Sequence, residues 1–549
     1  MEARTDQRTL VGHIVEVTGA EFVAQLISED EGFVPELKLG NDTVRVGQVG
    51  SYMLVRQGSH RLLVVVESMW NEQSADADTT RMLRLSPLGE LDLNDAFTRG
   101  VAHYPTTNAE IHIVTAETLS KLFIEFDQAN YTVGKLSAFE SIEVFLDASA
   151  FFGRHVAILG QSGSGKSWSV TSLVQSALKA MPNAHMILLD LHGEYSLKKD
   201  DLRSHSVFPK KLVRSLDADD LEIPYWLLSF AELVDLLIDM TDVNAPVQIA
   251  YLRTTVLELK VQANQHLDLG HITVDTPIYF SLDDLFKKFK SANEQTASFG
   301  KEQTASYGKF DQLLIKLQSR MNDTRYNFLL RPSKRTSSES LPGLMRDFVG
   351  LGEPNAKITV IDLSSVPLDL HPTVTSQIGR LAFEFNYWNP RCREFPLFLI
   401  CEEAHSYIPR ESSSEHTQTR RAMERIAKTG RKYGVGICVV SQRPHELSET
   451  VLSQCSSFIC LRISNPDDQA YVRELVPDAA RGMLDALPSL AQGEAIVVGE
   501  AVPLPIRMHI TMPDPPPNSS NVDYGSEWVR GPEEISVEDI VDRWRKQRH

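Results

Sequence analysis

The chain is poor in cysteine, short of positive charge and without long apolar runs. Its five cysteines, Cys392, Cys401, Cys438, Cys455 and Cys460, form no C-x-x-C pair. That spacing offers no zinc site, and several of the five lie in apolar runs where a thiol is simply buried. No stretch approaches the ~20 apolar residues a membrane helix needs. The opening MEARTDQRTL is polar, unlike the apolar core of a signal peptide. The expectation is a cytoplasmic protein with no membrane partner. Lys and Arg number 55 against 73 Asp and Glu, a net charge of −18. This argues against a protein coated with nucleic acid, because phosphate binding needs clustered cations. A local basic channel stays open, since net charge is a sum and binding is local.

What is present is ordinary in bulk and specific in one place. Hydrophobic residues at 42% and charged residues at 23% suit a soluble globular chain. A length of 549 residues suggests roughly two to four domains. The specific place is residues 156–181. Val156–Leu159 is a short apolar run with the look of a buried strand. Gly160-Gln-Ser-Gly-Ser-Gly165-Lys166-Ser167 then matches G-x-x-x-x-G-K-[ST] in full. Val170, Leu173, Val174, Ala177 and Leu178 follow at helical spacing, and strand–loop–helix is the context this motif requires. Glycines let backbone N–H groups turn onto phosphate oxygens, and the helix start adds its positive end. The expected nucleotide contacts are Gly160, Ser162, Gly163, Ser164, Gly165, Lys166, Ser167 and Trp168. Lys166 would reach the β- and γ-phosphates of ATP, and the Ser167 hydroxyl would ligate Mg²⁺.

Around this stretch the chain divides. Residues 1 to about 145 carry β-branched runs bounded by glycine, at Leu10–Val17, Val44–Val55 and Leu62–Val66, and read as a small β-barrel or sandwich. From about 146 to 512 strands and helices alternate, which predicts an α/β domain with a mainly parallel sheet. Its expected strands are 156–159, 185–190, 357–362, 396–401, 436–440, 458–462 and 495–498. A helical insertion is expected at about 200–350, because structureless loops of that length are uncommon. Within it Glu294–Lys301 is repeated as Glu302–Lys309. This tandem octad reads as a tolerated surface duplication, or as a loop whose Phe299, Tyr307, Lys301 and Lys309 contact nucleic acid. Residues 513–549 form a Pro-rich linker and a strap. Ile540, Val541 and Trp544 share one helical face, docking on the same subunit or on a neighbour.

Four further constellations complete the chemistry. Phe395–His405 is an apolar strand ending in Glu402 and Glu403, at the sheet edge where ligands gather in open α/β folds. Glu402 is assigned to the metal and Glu403 to the attacking water, with His405 hydrogen-bonding beside them. Glu402 stands where many such motifs have Asp. Asp190, in Leu188-Leu-Asp-Leu-His-Gly-Glu194-Tyr195, either enters the outer shell of the metal or merely closes a turn. Gln442, after the strand 436–440, can report on the γ-phosphate. The run Arg420, Arg421, Arg425, Lys428, Arg431 and Lys432 reads as a solvated helix face, or as the carrier of an arginine finger to the next subunit of a ring. Arg431 is the first choice, Arg425 the second, and Arg154 another intersubunit candidate.

Taken in order, Arg154-His-Val-Ala-Ile, GQSGSGKS, DLHGEY, CEEAH, GRKYGVGI and SQRP resemble the HerA family, ATPases of the FtsK–HerA group. DLHGEY carries Leu191 where the commoner pattern has proline. The resemblance covers most of the chain. It implies a RecA-like P-loop NTPase core, with the β-rich start similar to that family's HAS-type barrel. It also implies a homohexameric ring, Mg²⁺-dependent ATP hydrolysis between subunits, and double-stranded DNA in the central channel. A separate effector chain is implied too, either a nuclease or a sirtuin-like NAD-degrading enzyme, as in bacterial anti-phage systems. End resection with a NurA-like nuclease, an ATP-regulated assembly scaffold with little translocation, and a conjugation-type pump stay open as alternatives.

Overall fold

The computed structural model describes residues 9–27, 34–39, 42–73, 79–124, 129–196, 207–294, 306–352, 355–411, 416–519, 522–531 and 535–546. The chain forms two units, one from residues 1–182 with 437–516 and the other from 183–436 with 517–549.

The first unit begins with a barrel. Six strands run in the order Phe22–Leu26, Leu10–Val17, Glu110–Ile113, Tyr52–Gln57, His60–Gln73, Thr79–Leu91, and the last pairs back on the first, closing the sheet. Closure removes exposed edges. Val11, Ile14, Phe22, Val64, Leu83 and Ile111 fill the interior. Leu63 and Val65 point the other way and are also buried, so this strand reads as a continuous apolar run. The outside of the barrel is bonded to the same unit. The Tyr52 hydroxyl donates to the Pro505 carbonyl at 2.7 Å, and Arg99 Nε donates to the Pro503 carbonyl at 2.9 Å.

The remainder of the first unit is a sheet in the order Phe139–Phe145, Thr132–Leu136, Ile506–Ile510, Glu494–Gly499, Ser457–Cys460, Val156–Leu159, Val435–Ser441. Val156–Leu159 lies parallel to both neighbours. The outer four strands join antiparallel. The hairpin 132–145 falls in the stretch assigned to the barrel from its composition. Its Leu136 pairs instead with Met508, on the phosphate-loop sheet.

The second unit holds four parallel strands in the order Leu397–Cys401, Met186–Asp190, Ile358–Asp362, Val213–Leu216. Its insertion is helical, with Phe230–Leu237, Ala245–Ala263, Leu282–Glu294, Asp311–Asn322 and Leu341–Phe348. Tyr251, Phe289 and Phe310 pack at centroid spacings of 4.9–5.0 Å and hold three of these helices together. Phe299 and Lys301 of the tandem octad lie outside the described residues; Tyr307 is exposed. The final helix, Val537–Lys546, carries its predicted stripe, and Ile540 and Trp544 are exposed. Among the described residues no helix is long and apolar enough to cross a membrane.

Candidate functional site: a phosphate loop and an acidic turn

The phosphate loop joins the fully buried strand Val156–Leu159 to the helix Lys166–Ala180. Its backbone is pinned on the strand side. Gly160 N–H donates to the Ser441 carbonyl at 3.2 Å and Gln161 N–H to the Arg462 carbonyl at 2.9 Å. The Gln161 side-chain oxygen accepts from Ser464 N–H at 2.9 Å. A Cβ at position 160 would sit 2.6 Å from Ser164 Oγ, so glycine is required there by space. Gly163 (φ 74°) and Gly165 (φ 103°) adopt left-handed backbones, which favour glycine. The helix begins at Gly165 with no side-chain cap, leaving its first N–H groups to a ligand. Ser164 Oγ is buried and has no hydrogen-bond partner among the described residues. Lys166 is almost buried, its Nζ 3.4 Å from the Gln161 carbonyl. Ser167 and Trp168 are half-buried and Ser162 is exposed. An orphaned hydroxyl, an uncapped helix start and a glycine cradle fit a nucleoside triphosphate.

The acidic turn belongs to the second unit. Glu402 and Glu403 follow the buried strand Leu397–Cys401. Parallel pairing sets Leu189 beside Cys401, so Asp190 ends the neighbouring strand at the same level. Asp190 was expected at the metal or in a plain turn, and its geometry is that of a turn holder. Its two carboxylate oxygens accept from the N–H groups of Glu194 (2.9 Å), Tyr195 (2.9 Å) and Ser196 (3.1 Å) and from Ser196 Oγ (2.9 Å). The turn it organises brings the Tyr195 hydroxyl to Glu402 Oε1.

Glu402 was expected on the metal. It is 3% exposed, and its Oε2 has no partner among the described residues. Burial first, then the charge of Glu194, push its carboxyl well above the usual range. Ionising it unpaired in this setting would cost several kcal/mol, roughly the price of any uncompensated buried charge. Glu402 is thus held through Oε1, with Oε2 left open. Glu403 carries a left-handed backbone (φ 45°), a conformation that costs about 1–3 kcal/mol outside glycine and concentrates at functional sites. Ser406 N–H donates to the Glu403 carbonyl at 2.9 Å. His405 Nδ1 lies 3.3 Å from Glu403 Oε2. Among the described residues no three His, Cys, Asp or Glu side chains form a metal cage.

The candidate arginines differ in freedom. Arg425 lies over the Phe383 ring at 4.2 Å and 3.9 Å from Glu384. Arg154 pairs with Glu500. Arg431, in the short helical turn Gly430–Tyr433, is exposed and makes no ion pair among the described residues. Gln442 is half-buried at the end of Val435–Ser441, beside the strand that feeds the phosphate loop.

Residues 131–382 match the family described as the helicase HerA central domain. The chain is 28% identical over 444 residues to the DNA double-strand break repair helicase HerA of Sulfolobus acidocaldarius, covering 80% of each chain. This is a P-loop ATPase, similar over its central part to the HerA helicases. To the protein of the same name from Pyrococcus furiosus it is 25% identical over 519 residues, covering 90% of this chain and 87% of that one. Among solved structures, VirB4 of Thermoanaerobacter pseudethanolicus aligns with a TM-score of 0.46 at 18% identity, over 73% of this chain and 99% of that chain. That likeness is too slight to carry a functional argument.

The HerA match includes the phosphate loop and the Asp190 turn but stops before the acidic pair. Two features of this ATPase escaped the reading of its residues. Tyr407, five positions after Glu402, donates its hydroxyl to the Glu402 carbonyl at 2.9 Å. Arg99 of Phe97-Thr-Arg-Gly-Val101 anchors the barrel. Neither has a local signal: each task depends on a partner carbonyl that only the fold supplies.

Proposed function

We propose that this HerA-like ATPase assembles as a homohexameric ring and couples Mg²⁺-dependent ATP hydrolysis to movement of double-stranded DNA through its centre. It acts with a separate effector chain, a nuclease or an NAD-degrading enzyme, in anti-phage defence. The observation that carries the ATPase step is the phosphate loop, with its buried unpartnered Ser164 Oγ and uncapped helix start. Bound Mg-ATP supplies the scissile phosphoanhydride and the cation that neutralises its charge. Lys166 and the loop N–H groups grip the phosphates, Ser167 holds the cation, and Glu403 orients and deprotonates water. Gln442 senses the γ-phosphate. Arg431, which makes no ion pair among the described residues, is the finger offered to the next subunit, ahead of Arg154 and Arg425. Asp190 shapes the turn that brings Tyr195 to Glu402, the neighbour of Glu403. The DNA reading draws on the relatives from Sulfolobus acidocaldarius and Pyrococcus furiosus, named DNA double-strand break repair helicases.

The test is steady-state ATPase with and without duplex DNA across a salt series. DNA should stimulate turnover several-fold, and the stimulation should fade steeply with salt as phosphate contacts are lost. Turnover indifferent to DNA at every salt concentration would favour an assembly scaffold.

A further inference from the structure

Tyr195 is among the largest fully buried side chains of the protein, yet it sits on a turn rather than in a strand or helix. Such a turn needs a reason to bury a ring. The Asp190 carboxylate draws the backbone of residues 194–196 inward, and this aims the Tyr195 hydroxyl across the sheet edge at Glu402 Oε1. Glu402 is held a second time through its backbone, where the Tyr407 hydroxyl reaches its carbonyl. The next residue is Glu403, in the left-handed backbone that Ser406 closes from the far side.

We infer that Tyr195 is a positioning residue for hydrolysis, fixing Glu403 by way of its hydrogen bond to Glu402. The inference rests on the reading of Glu403 as the residue that acts on water. Without the Tyr195 hydroxyl, Glu402 Oε1 loses its partner, and Oε2 has none among the described residues to hold the side chain. The side chain then settles differently, and Glu403 is no longer presented in one pose. Substrate binding belongs to the phosphate loop and is untouched. A displacement of about an ångström at a group acting on water is enough to cost orders of magnitude in rate.

The experiment compares the full-length protein with Tyr195→Phe, which removes one oxygen and leaves the ring. The expected result is a fall in kcat of at least about tenfold, with KM for ATP within about twofold and an unchanged melting temperature. Unchanged kcat overturns the inference. So does a joint loss of kcat, affinity and thermal stability, which would mark a merely structural ring. Glu402→Ala should match Tyr195→Phe, and the double variant should lose little more, because both break one contact. Additive losses would contradict the coupling. Glu402→Gln keeps an acceptor for the hydroxyl and should recover most of the turnover that Glu402→Ala loses; no recovery would overturn the hydrogen-bond account. Glu403→Gln separates the two levels. If it leaves turnover intact, the reading of Glu403 fails. If it abolishes turnover while Tyr195→Phe changes nothing, only the positioning role fails.

Discussion

At the phosphate loop Ser164 Oγ is buried without a hydrogen-bond partner among the described residues, and the helix behind it starts uncapped. At the acidic turn Asp190 accepts four hydrogen bonds, and Glu402 is gripped through its side chain and its backbone by two tyrosines. One region leaves polar groups for something else to satisfy. The other spends most of its polar groups on holding a strained pose, and leaves one oxygen each of Glu402 and Glu403 without a hydrogen bond among the described residues. Unmet hydrogen-bonding capacity marks where a ligand is to be bound, because a buried unpaired group costs about 1–3 kcal/mol until a partner arrives. Hydrogen bonds on both sides of a left-handed glutamate mark where geometry must not drift.

Substitutions in the two regions should therefore separate affinity from rate. The largest effect is expected for Lys166→Ala. Hydrolysis should fall to background and ATP affinity should drop at least about tenfold, with melting temperature unchanged. Equilibrium binding of a fluorescent ATP analogue and phosphate release measure both. Next come the arginines. Arg431→Ala should cut turnover by about 10³-fold or more, in the range of an arginine finger, with no loss of stability. Arg425→Ala should instead destabilise by about 1 kcal/mol through loss of its place over Phe383, read by thermal unfolding. The reverse ranking would reassign the finger. Asp190→Ala should lower stability by about 2–3 kcal/mol and reduce kcat without changing ATP affinity. Loss of affinity there would blur the distinction between the regions.

The smallest effect is one of pH. His185, stacked on Phe395 at the start of the strand that ends in Asp190, has its imidazole pushed down to about 4, by burial first and the Lys357 charge second. The unfolded chain takes up a proton near pH 6.5, which the folded imidazole refuses until about 4. The contribution is therefore fully present above pH 6.5 and lost as pH falls towards 4. Melting temperature measured between pH 7 and pH 4.5 should fall less steeply for His185→Phe than for the natural chain.

Much of this was legible in the residues. The phosphate-loop strand, its helix and the other expected core strands stand within one or two residues of their predicted limits, because each is a compact apolar run between turn formers. Val213–Leu216 was not legible: with Arg214 and Ser215 in its middle it has no apolar run, and only pairing with Ile358–Asp362 makes it a strand. The hairpin 132–145 could not be assigned either, since its partner Ile506–Ile510 lies more than 360 residues away. The tasks of Asp190 and Glu402 depended on where the Tyr195 ring turns. Arg425 and Arg431 look alike in a basic run, and only the aromatic shelf under one of them tells them apart.

The most direct test of separate binding and chemistry is a single-turnover experiment on Glu403→Gln, with ATP binding measured on the same sample. The account predicts ATP affinity within about twofold of the natural protein and a chemical step slowed by at least about 10²-fold, as for loss of a general base. A normal rate of phosphate cleavage, or ATP affinity lost together with the rate, would contradict it.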